Sequence, residues 1–418
     1  MKKTQNTRIL FGAVLGILFG IILGHTHLLT PITAPLLAVF DILGKIFINL
    51  LKMILVPLIF ASITAGITNL RNLPQAKFVW PAFLGYSLVT TTIAVATGLL
   101  AMNLIKPGVG LDIHLFKANM STLEYHAFTS GDFFMNLING MFMNPILAMS
   151  QNNILAIVVF AIFLGMACVT IGERSQRVVH IINESFEIVM TIVAWIMRLA
   201  PLGIMGLLAK LVAEQHIQLF VVLGKYILVV LGTTLFHGLV TLPLILWLIT
   251  KASPLKFLRA VKDAFLTALS TSSSSATLPV TLHCVTRNLN VNKHIAHFVL
   301  PIGATINMDG TALYEAMAAL FVANLCGIHL TISAQIIVAL TAMLASIGAP
   351  GIPSAGMVTM IMVLQAVGLP IEAVAILIPI DRPLDTLRTV VNVEGDCVGA
   401  CVVERIASTT AKNSNHLR

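Results

Sequence analysis

Charge is what this sequence has least of. Asp, Glu, Lys and Arg make up 10% of its 418 residues against 57% for AVILMFWYC, and the mean hydropathy is +0.95. Soluble domains carry roughly 25% charged residues, so a chain this poor in charge is not a water-soluble globule and belongs in a bilayer. Acidic residues are the scarcer, 17 against 25 basic ones, for a formal net charge of +8. In a soluble protein that excess would suggest nucleic acid. Here the basic residues stand singly between apolar runs, and no nucleic acid partner is expected. Cysteine is also scarce: Cys168, Cys284, Cys326, Cys397 and Cys401 are odd in number and without metal-ligand spacing, and read as small packing residues. No phosphate-cradling loop or dinucleotide fingerprint occurs, which leaves an ion gradient as the energy source for any transport. The histidines, among them His25, His27, His114, His126, His216, His237, His283 and His294, lack ligand spacing and read as loop or interface residues.

What fills the chain is apolar runs, at about residues 9–24, 38–70, 78–105, 130–171, 178–212 and 219–250. A perpendicular span takes about 20 residues, so the longer runs imply tilted or broken helices. The first run follows Lys2, Lys3 and Arg8 and has no small-residue cleavage site after it, so it reads as a retained helix. Beyond residue 250 the pattern changes. Residues 251–290 hold two weakly apolar halves around a Ser/Thr-rich stretch, 271–277, and residues 331–368 repeat the design around a Gly/Pro-rich tip, 348–356. A half of about 14 residues reaches only about 20 Å, too short to cross. Such paired interrupted segments, at corresponding places in two halves, resemble re-entrant hairpins of a transporter.

The expected fold is therefore all-α and polytopic, with eight transmembrane helices and two re-entrant hairpins: hairpin 1 (251–290), helix 7 (295–325), hairpin 2 (331–368), helix 8 (370–407) and a cytoplasmic tail (411–418). Loop charges orient it. Lys2, Lys3, Arg8, Arg71, Lys77, Arg174, Arg177, Lys251, Lys256, Arg259, Lys262, Arg287, Lys293, Arg405, Lys412 and Arg418 fall on one side, and Lys106, Lys117 and Lys210 on the other. Lys45, Lys52, Arg198, Lys225, Arg382 and Arg388 lie in or near helices and cast no vote. The positive-inside rule puts both termini in the cytoplasm, hairpin 1 entering from inside and hairpin 2 from outside.

The most informative anomaly is in helix 8. Asp381, Asp385, Arg388, Asn392 and Asp396 are spaced by 4, 3, 4 and 4 residues, which places them within about 80° on one face of a helix. A charge at the bilayer centre costs roughly 2.5–3.5 kcal/mol unless it meets a partner or a wet cavity. One Asp–Arg pair could be glue between helices; three carboxylates and an amide around one arginine exceed that need. Arg388 offers a planar fork suited to a carboxylate, Asp385 suits an ammonium, and Asp396 with Asn392 offers hard oxygens for a small cation. A matching set precedes them in 303–311, where Gly303, Thr305, Asn307, Asp309 and Thr311 interrupt an otherwise apolar helix. That run makes a poor continuous helix, and its freed carbonyls would be natural cation ligands. The serines of hairpin 1, taken alone, are as readily a polar loop as a ligand site. Glu394 points away from the ionic face, and Glu184 and Glu187 read as polar helix contacts.

Four ordered stretches resemble a known family. They are Ser273-Ser274-Ser275-Ala276-Thr277-Leu278-Pro279, Asn307-Met308-Asp309-Gly310-Thr311, Ala345-Ser346-Ile347-Gly348 with Gly351-Ile352-Pro353, and Asp385-Thr386-Leu387-Arg388-Thr389-Val390-Val391-Asn392-Val393-Glu394-Gly395-Asp396. They resemble the dicarboxylate/amino acid:cation symporters, the glutamate transporter homologues, and the resemblance covers essentially the whole chain. It implies a homotrimer working as an elevator. Residues 1–250 would be mainly scaffold, with about 78–105 joining a moving unit built on 251–410. It implies that Asp385 takes the substrate amino group, Arg388 the side-chain carboxylate, and Asn392 with Ser272, Ser273 and Ser274 the α-carboxylate, with Thr311, Thr389 and Gly351 beside them. It implies cation sites at Asp396 with Gly303, Asn307 and Asn392; at Asp309 with Asn307, Thr90 and Thr91; and at the carbonyls of Thr305, Ser346, Ile347 and Ala349.

Subtype is read from single positions in the same comparison. C4-dicarboxylate members tend to lack the carboxylates at Asp385 and Asp396, and neutral amino acid members replace Arg388, so an acidic amino acid is the expected substrate. Glu315 matches the position that carries a proton in animal members. The coupling ions would be sodium and/or protons, with no organic cofactor and no enzymatic activity. Family members usually carry a supporting arginine where this chain has Ser272 or Thr386; Arg382, one turn from Thr386, is placed to substitute. Pro350 in the outer tip is unusual and would stiffen it. The competing readings are a C4-dicarboxylate symporter, a neutral amino acid transporter, an anion channel and a membrane enzyme, and for the last the stripe offers no nucleophile–base pair.

Overall fold

With no water in hydrocarbon to satisfy backbone N–H and C=O groups, so apolar a chain can span only by pairing them within its own segments. The computed structural model describes residues 2–25, 30–68, 76–110, 141–151, 153–214, 218–348 and 355–416, and among these the secondary structure is entirely helical. In order come α1 (Lys2–His25), α2 (Thr30–Thr68), α3 (Ala76–Ile105), a short α4 (Pro145–Ser150), α5 (Ile154–Ile171), α6 (Gln176–Glu214), α7 (Gln218–Phe236) and α8 (Leu242–Thr250). A single π turn, His237–Thr241, joins α7 to α8. Among the described residues, four helical stretches, Thr33–Thr68, Val79–Ile105, Ala156–Ile196 and Val221–Thr250, are long and apolar enough to cross a membrane. Residues 130–140 and 152 of the expected run at 130–171 lie outside the described residues; its described part is interrupted between α4 and α5, with Asn144 capping the start of α4 and Asn153 that of α5.

The second half of the chain is built from short and broken helices. Hairpin 1 is α9 (Pro254–Thr271) folded against α10 (Ser274–His283), which continues through a π turn, Cys284–Asn288. The turn between the arms is tighter than the sequence suggests. Only Ser272, left-handed at φ 47°, and Ser273, extended at φ −149°, separate the helices. The Ser273 hydroxyl accepts from the Ala276 amide at 3.2 Å, so the rest of the serine run becomes the first turn of α10. The expected helix at 295–325 is two helices, α11 (Lys293–Ile306) and α12 (Asp309–Leu325), with Asn307 and Met308 outside helical conformation, as the Gly/Thr/Asn/Asp run predicts. Hairpin 2 is α13 (Ile332–Gly348) and α14 (Ala355–Ala366). Its tip, with Ala349, Pro350 and Gly351, lies outside the described residues. A 3-10 turn, Ile371–Ala373, leads into α15, which runs from Val374 to His416. Helix thus continues through most of the segment expected as a tail.

Two groups of helices emerge. α1, α2 and α5 pack against one another largely through α6 and α2, whereas α3 and α7 to α14 gather around α15. α7 and α8, within the first 250 residues, pack with that second group, as α3 does. A hydrophobic cluster of Phe83, Leu242, Leu246, Phe257, Val299 and Val398 among others lies within the second group, while a larger one joins α2 and α6 to α12, hairpin 2 and α15. The four cysteines other than Cys401 are buried, and all five are free thiols.

Candidate functional site

The ionic stripe of α15 faces inward. Asp381, Asp385, Arg388, Asn392 and Asp396 are all buried, and Arg388 is 1% exposed. Helical geometry makes the charge chain: residues three and four apart stack on one face, and Arg388 lies three residues from Asp385 and seven from Asp381. One guanidinium nitrogen, Nη2, donates to Asp381 Oδ1 at 2.9 Å and to Asp385 Oδ1 at 2.8 Å. The plane of Arg388 lies over the ring of Tyr314, 4.0 Å from its centroid. Its Nε and Nη1 are buried and hold no hydrogen-bond partner. Two donors of an arginine left unspent in a low-dielectric interior are costly, and a carboxylate is the group whose geometry meets them.

Three elements meet α15 around Arg388 and the residues beside it. From hairpin 2, Gly356 opens α14 against Arg388 and Thr311: a Cβ there would sit 3.5 Å from Arg388 Nη1 and 3.4 Å from Thr311 Cγ2. From α12, the Gly310 amide donates to Asn392 Oδ1 at 2.8 Å, and Asn392 Nδ2 donates to Thr311 Oγ1 at 3.2 Å. Gly310 is required by contact, since a Cβ would lie 2.9 Å from the Arg388 carbonyl oxygen. From hairpin 1, Ser272, Ser273 and Ser274 are buried, and the Ser272 and Thr386 hydroxyls meet at 3.1 Å. The amide-rich N-terminus of α10 begins at that tip. Thr389 donates to the Asp385 carbonyl at 2.8 Å, which ties its hydroxyl to its own helix. Gly351 lies outside the described residues. The other eight residues expected to touch substrate are thus all buried: Ser272, Ser273 and Ser274 at the hairpin 1 tip, Thr311 on α12, and Asp385, Arg388, Thr389 and Asn392 on α15. Arg382, expected to substitute for a supporting arginine at Ser272 or Thr386, holds its Nη1 3.5 Å from Asp385 Oδ2.

The oxygen-rich groups collect one turn further along α15. Asn307, set in the break between α11 and α12, donates through Nδ2 to Asp396 Oδ1 at 3.1 Å, and its Oδ1 is buried without a partner. The Asp396 carboxylate occupies the place a Cβ of Gly303 would need, so only glycine fits there. Asp309 accepts from Thr90 at 3.2 Å and Thr91 at 2.6 Å. Helix ends supply more oxygens, because the last four carbonyls of a helix have no intrahelical amide. Thr305 lies in the final turn of α11, and Ser346 and Ile347 in that of α13. A cavity of about 450 Å³ between α3 and hairpin 2 is lined by Thr91, Ile306, Ser346 and Ile347. Ala349 lies outside the described residues. Hard, mainly uncharged oxygens around single carboxylates are the chemistry of an alkali cation and fit it better than a transition metal.

Two residues depart from expectation. His237, read as a loop or interface residue, is wholly buried, and its Nε2 lies 3.2 Å from Asp309 Oδ2. It reaches Asp309 from the π turn of the α7–α8 helix, an irregularity that often marks a functional position. Glu394 does point off the ionic face, yet it is buried against Gly238 of the same turn, with Oε1 unpartnered. Glu315 is fully buried on α12 and accepts a hydrogen bond from the Thr359 hydroxyl of hairpin 2.

The chain also matches known proteins over most of its length. Residues 6–406 match the model of the sodium:dicarboxylate symporter family. Excitatory amino acid transporter 3 of Oryctolagus cuniculus is 36% identical, with the match covering 96% of this chain and 86% of that one. The Homo sapiens protein of the same name is 37% identical over 87% of this chain and 78% of its own length. An excitatory amino acid transporter of Caenorhabditis elegans is 35% identical, over 89% and 84% respectively.

Proposed function

We propose that this chain, which belongs to the sodium:dicarboxylate symporter family, is a secondary active symporter of acidic amino acids driven by a sodium gradient, a proton gradient or both. The observation that carries the substrate class is Arg388: a buried guanidinium held by two carboxylates, with its Nε and Nη1 unpartnered beside hairpin 2. In this reading those donors take the side-chain carboxylate of aspartate or glutamate. Asp385 takes the ammonium, and Asn392 with the hairpin 1 tip takes the α-carboxylate. Sodium, as a co-transported substrate, is held at Asp396 with Gly303, Asn307 and Asn392, at Asp309 with Asn307, Thr90 and Thr91, and at the carbonyls of Thr305, Ser346, Ile347 and Ala349. Glu315 carries the proton.

The architecture that goes with this function has eight crossings: α1, α2, α3, α5, α6, α7–α8, α11–α12 and α15. Two hairpins enter from opposite sides, and both termini lie in the cytoplasm of a cell with the protein in its cytoplasmic membrane. The group around α15 slides as an elevator against a scaffold of α1, α2, α5 and α6, with three copies forming the trimer. The moving unit includes α7 and α8, since they pack on α15 and α3. A C4-dicarboxylate symporter would leave Asp385 without a substrate ammonium to meet.

The test is uptake into proteoliposomes with sodium and pH gradients imposed separately, followed by counterflow of labelled aspartate. Accumulation driven by either gradient, with exchange against internal aspartate, is the expected result. Preference for succinate over aspartate would replace the substrate assignment. Flux without counterflow would replace symport with a channel.

A further inference from the structure

The reading above spends one arginine of α15 and leaves another. Arg382 sits three residues before Asp385, with Nη1 3.5 Å from Asp385 Oδ2. Its Nε and Nη1 make no hydrogen bond and are shut off from solvent, while the side chain as a whole is 21% exposed. Asp385 therefore stands between two guanidiniums: Arg388 bonded to Oδ1 at 2.8 Å and Arg382 near Oδ2. Along the helix the order of charge is Asp381, Arg382, Asp385, Arg388, two of each sign, so the set is neutral without substrate.

That neutrality has a consequence for any ammonium that must reach Asp385. Oδ1 is taken by Arg388, so an amine approaches Oδ2, where Arg382 already stands. Two cations on one carboxylate oxygen repel each other, and in a site of low dielectric the repulsion is weakly screened. Arg382 makes no hydrogen bond through Nη1 and keeps partial access to solvent, so it is the partner able to leave. Arg388, 1% exposed and bonded to two carboxylates, is not. The Ser272 and Thr386 hydroxyls, which meet at 3.1 Å beside Asp385, add no charge of their own.

We propose that Arg382 is the resident counterion of Asp385, holding the carboxylate until the substrate ammonium displaces it. This rests on Asp385 being the ammonium site. Arg382 is then a specificity-determining residue that acts through Asp385. It sets how strongly the site favours a dicarboxylate that carries an amino group over one that does not.

The experiment compares binding of aspartate and of succinate, which lacks the ammonium, to purified protein in sodium. The variants are Arg382→Gln, Arg382→Lys and Asp385→Asn, each checked for trimer mass and Tm. Arg382→Gln should tighten aspartate relative to succinate by about tenfold, and Arg382→Lys should stay near the parent. Asp385→Asn should erase the preference for aspartate. Parallel changes for both ligands in Arg382→Gln, no change, or selective weakening of aspartate would overturn the counterion role while Asp385→Asn still behaves as expected. An unaltered aspartate preference in Asp385→Asn would instead remove the ammonium assignment beneath it.

Discussion

Arg388 and Glu315 carry the sharpest consequences of single side chains. Replacing Arg388 by Cys removes the guanidinium that bonds both Asp381 and Asp385 and leaves a substrate side-chain carboxylate without it; breaking a buried pair costs about 3–5 kcal/mol. Aspartate affinity should fall by a hundredfold or more, and serine or alanine, which bring no second carboxylate, should gain entry. Unchanged aspartate affinity in a folded Arg388→Cys variant would contradict the assignment. Glu315 accepts from Thr359 and keeps Oε2 unpartnered in a fully buried place. Glu315→Gln keeps the hydrogen bond but not the exchangeable charge. Uptake should then ignore an imposed pH gradient while aspartate exchange persists, and surviving proton-driven uptake would refute it. The stripe on α15 is legible in sequence because spacings of three and four are a property of one helix. His237 is not, since its partner Asp309 is 72 residues away and the π turn that aims it has no local signature.

At the scale of elements, length does most of the predicting. Helical halves too short to span fold back as hairpins, and a polar interruption such as Asn307-Met308 breaks a helix wherever its groups find partners across the bundle. The width of a turn is less legible: the serine run of hairpin 1 reads as a loop, but Ser273 caps α10 and draws its successors into helix. Close approach of two elements is also hidden in sequence and depends on small residues. α12 meets α15 at Gly310, whose amide holds Asn392 at 2.8 Å and whose missing Cβ makes room for the Arg388 backbone. Gly310→Ala places a methyl 2.9 Å from a carbonyl oxygen that cannot rotate away, and overpacking of this kind costs about 1–3 kcal/mol. The variant should show a lowered Tm in detergent together with weaker aspartate binding, because the shift moves Asn392 and Arg388 at once. A Tm and affinity equal to the parent's would mean that the helix contact has more slack than its geometry suggests.

For the whole molecule, the grouping of helices is the least legible feature, because an apolar helix carries no mark of the body it joins; α7 and α8 meet the α15 group through packing and the His237–Asp309 contact. Where the two groups touch, hairpin 2 lies against α2 and α5 within the larger hydrophobic cluster. Lys52 of α2 is different. It reaches Glu372, in the 3-10 turn before α15, with Nζ 3.1 Å from Oε1 and the two side chains 34% and 37% exposed. An ion pair this exposed contributes about 0.2–1 kcal/mol, too little to lock the groups and enough to bias a two-state equilibrium by up to about fivefold. If the α15 group slides along α2, the pair exists in this arrangement and must part in the other. Lys52→Glu should therefore depopulate this arrangement, read as a shift in the distance distribution between spin labels placed on α2 and α15. The exchange Lys52→Glu with Glu372→Lys should restore the parent distribution, since the attraction is re-formed with its ends reversed. A double variant that behaves as the sum of its singles would assign the contact to local charge rather than to a bridge between the moving parts.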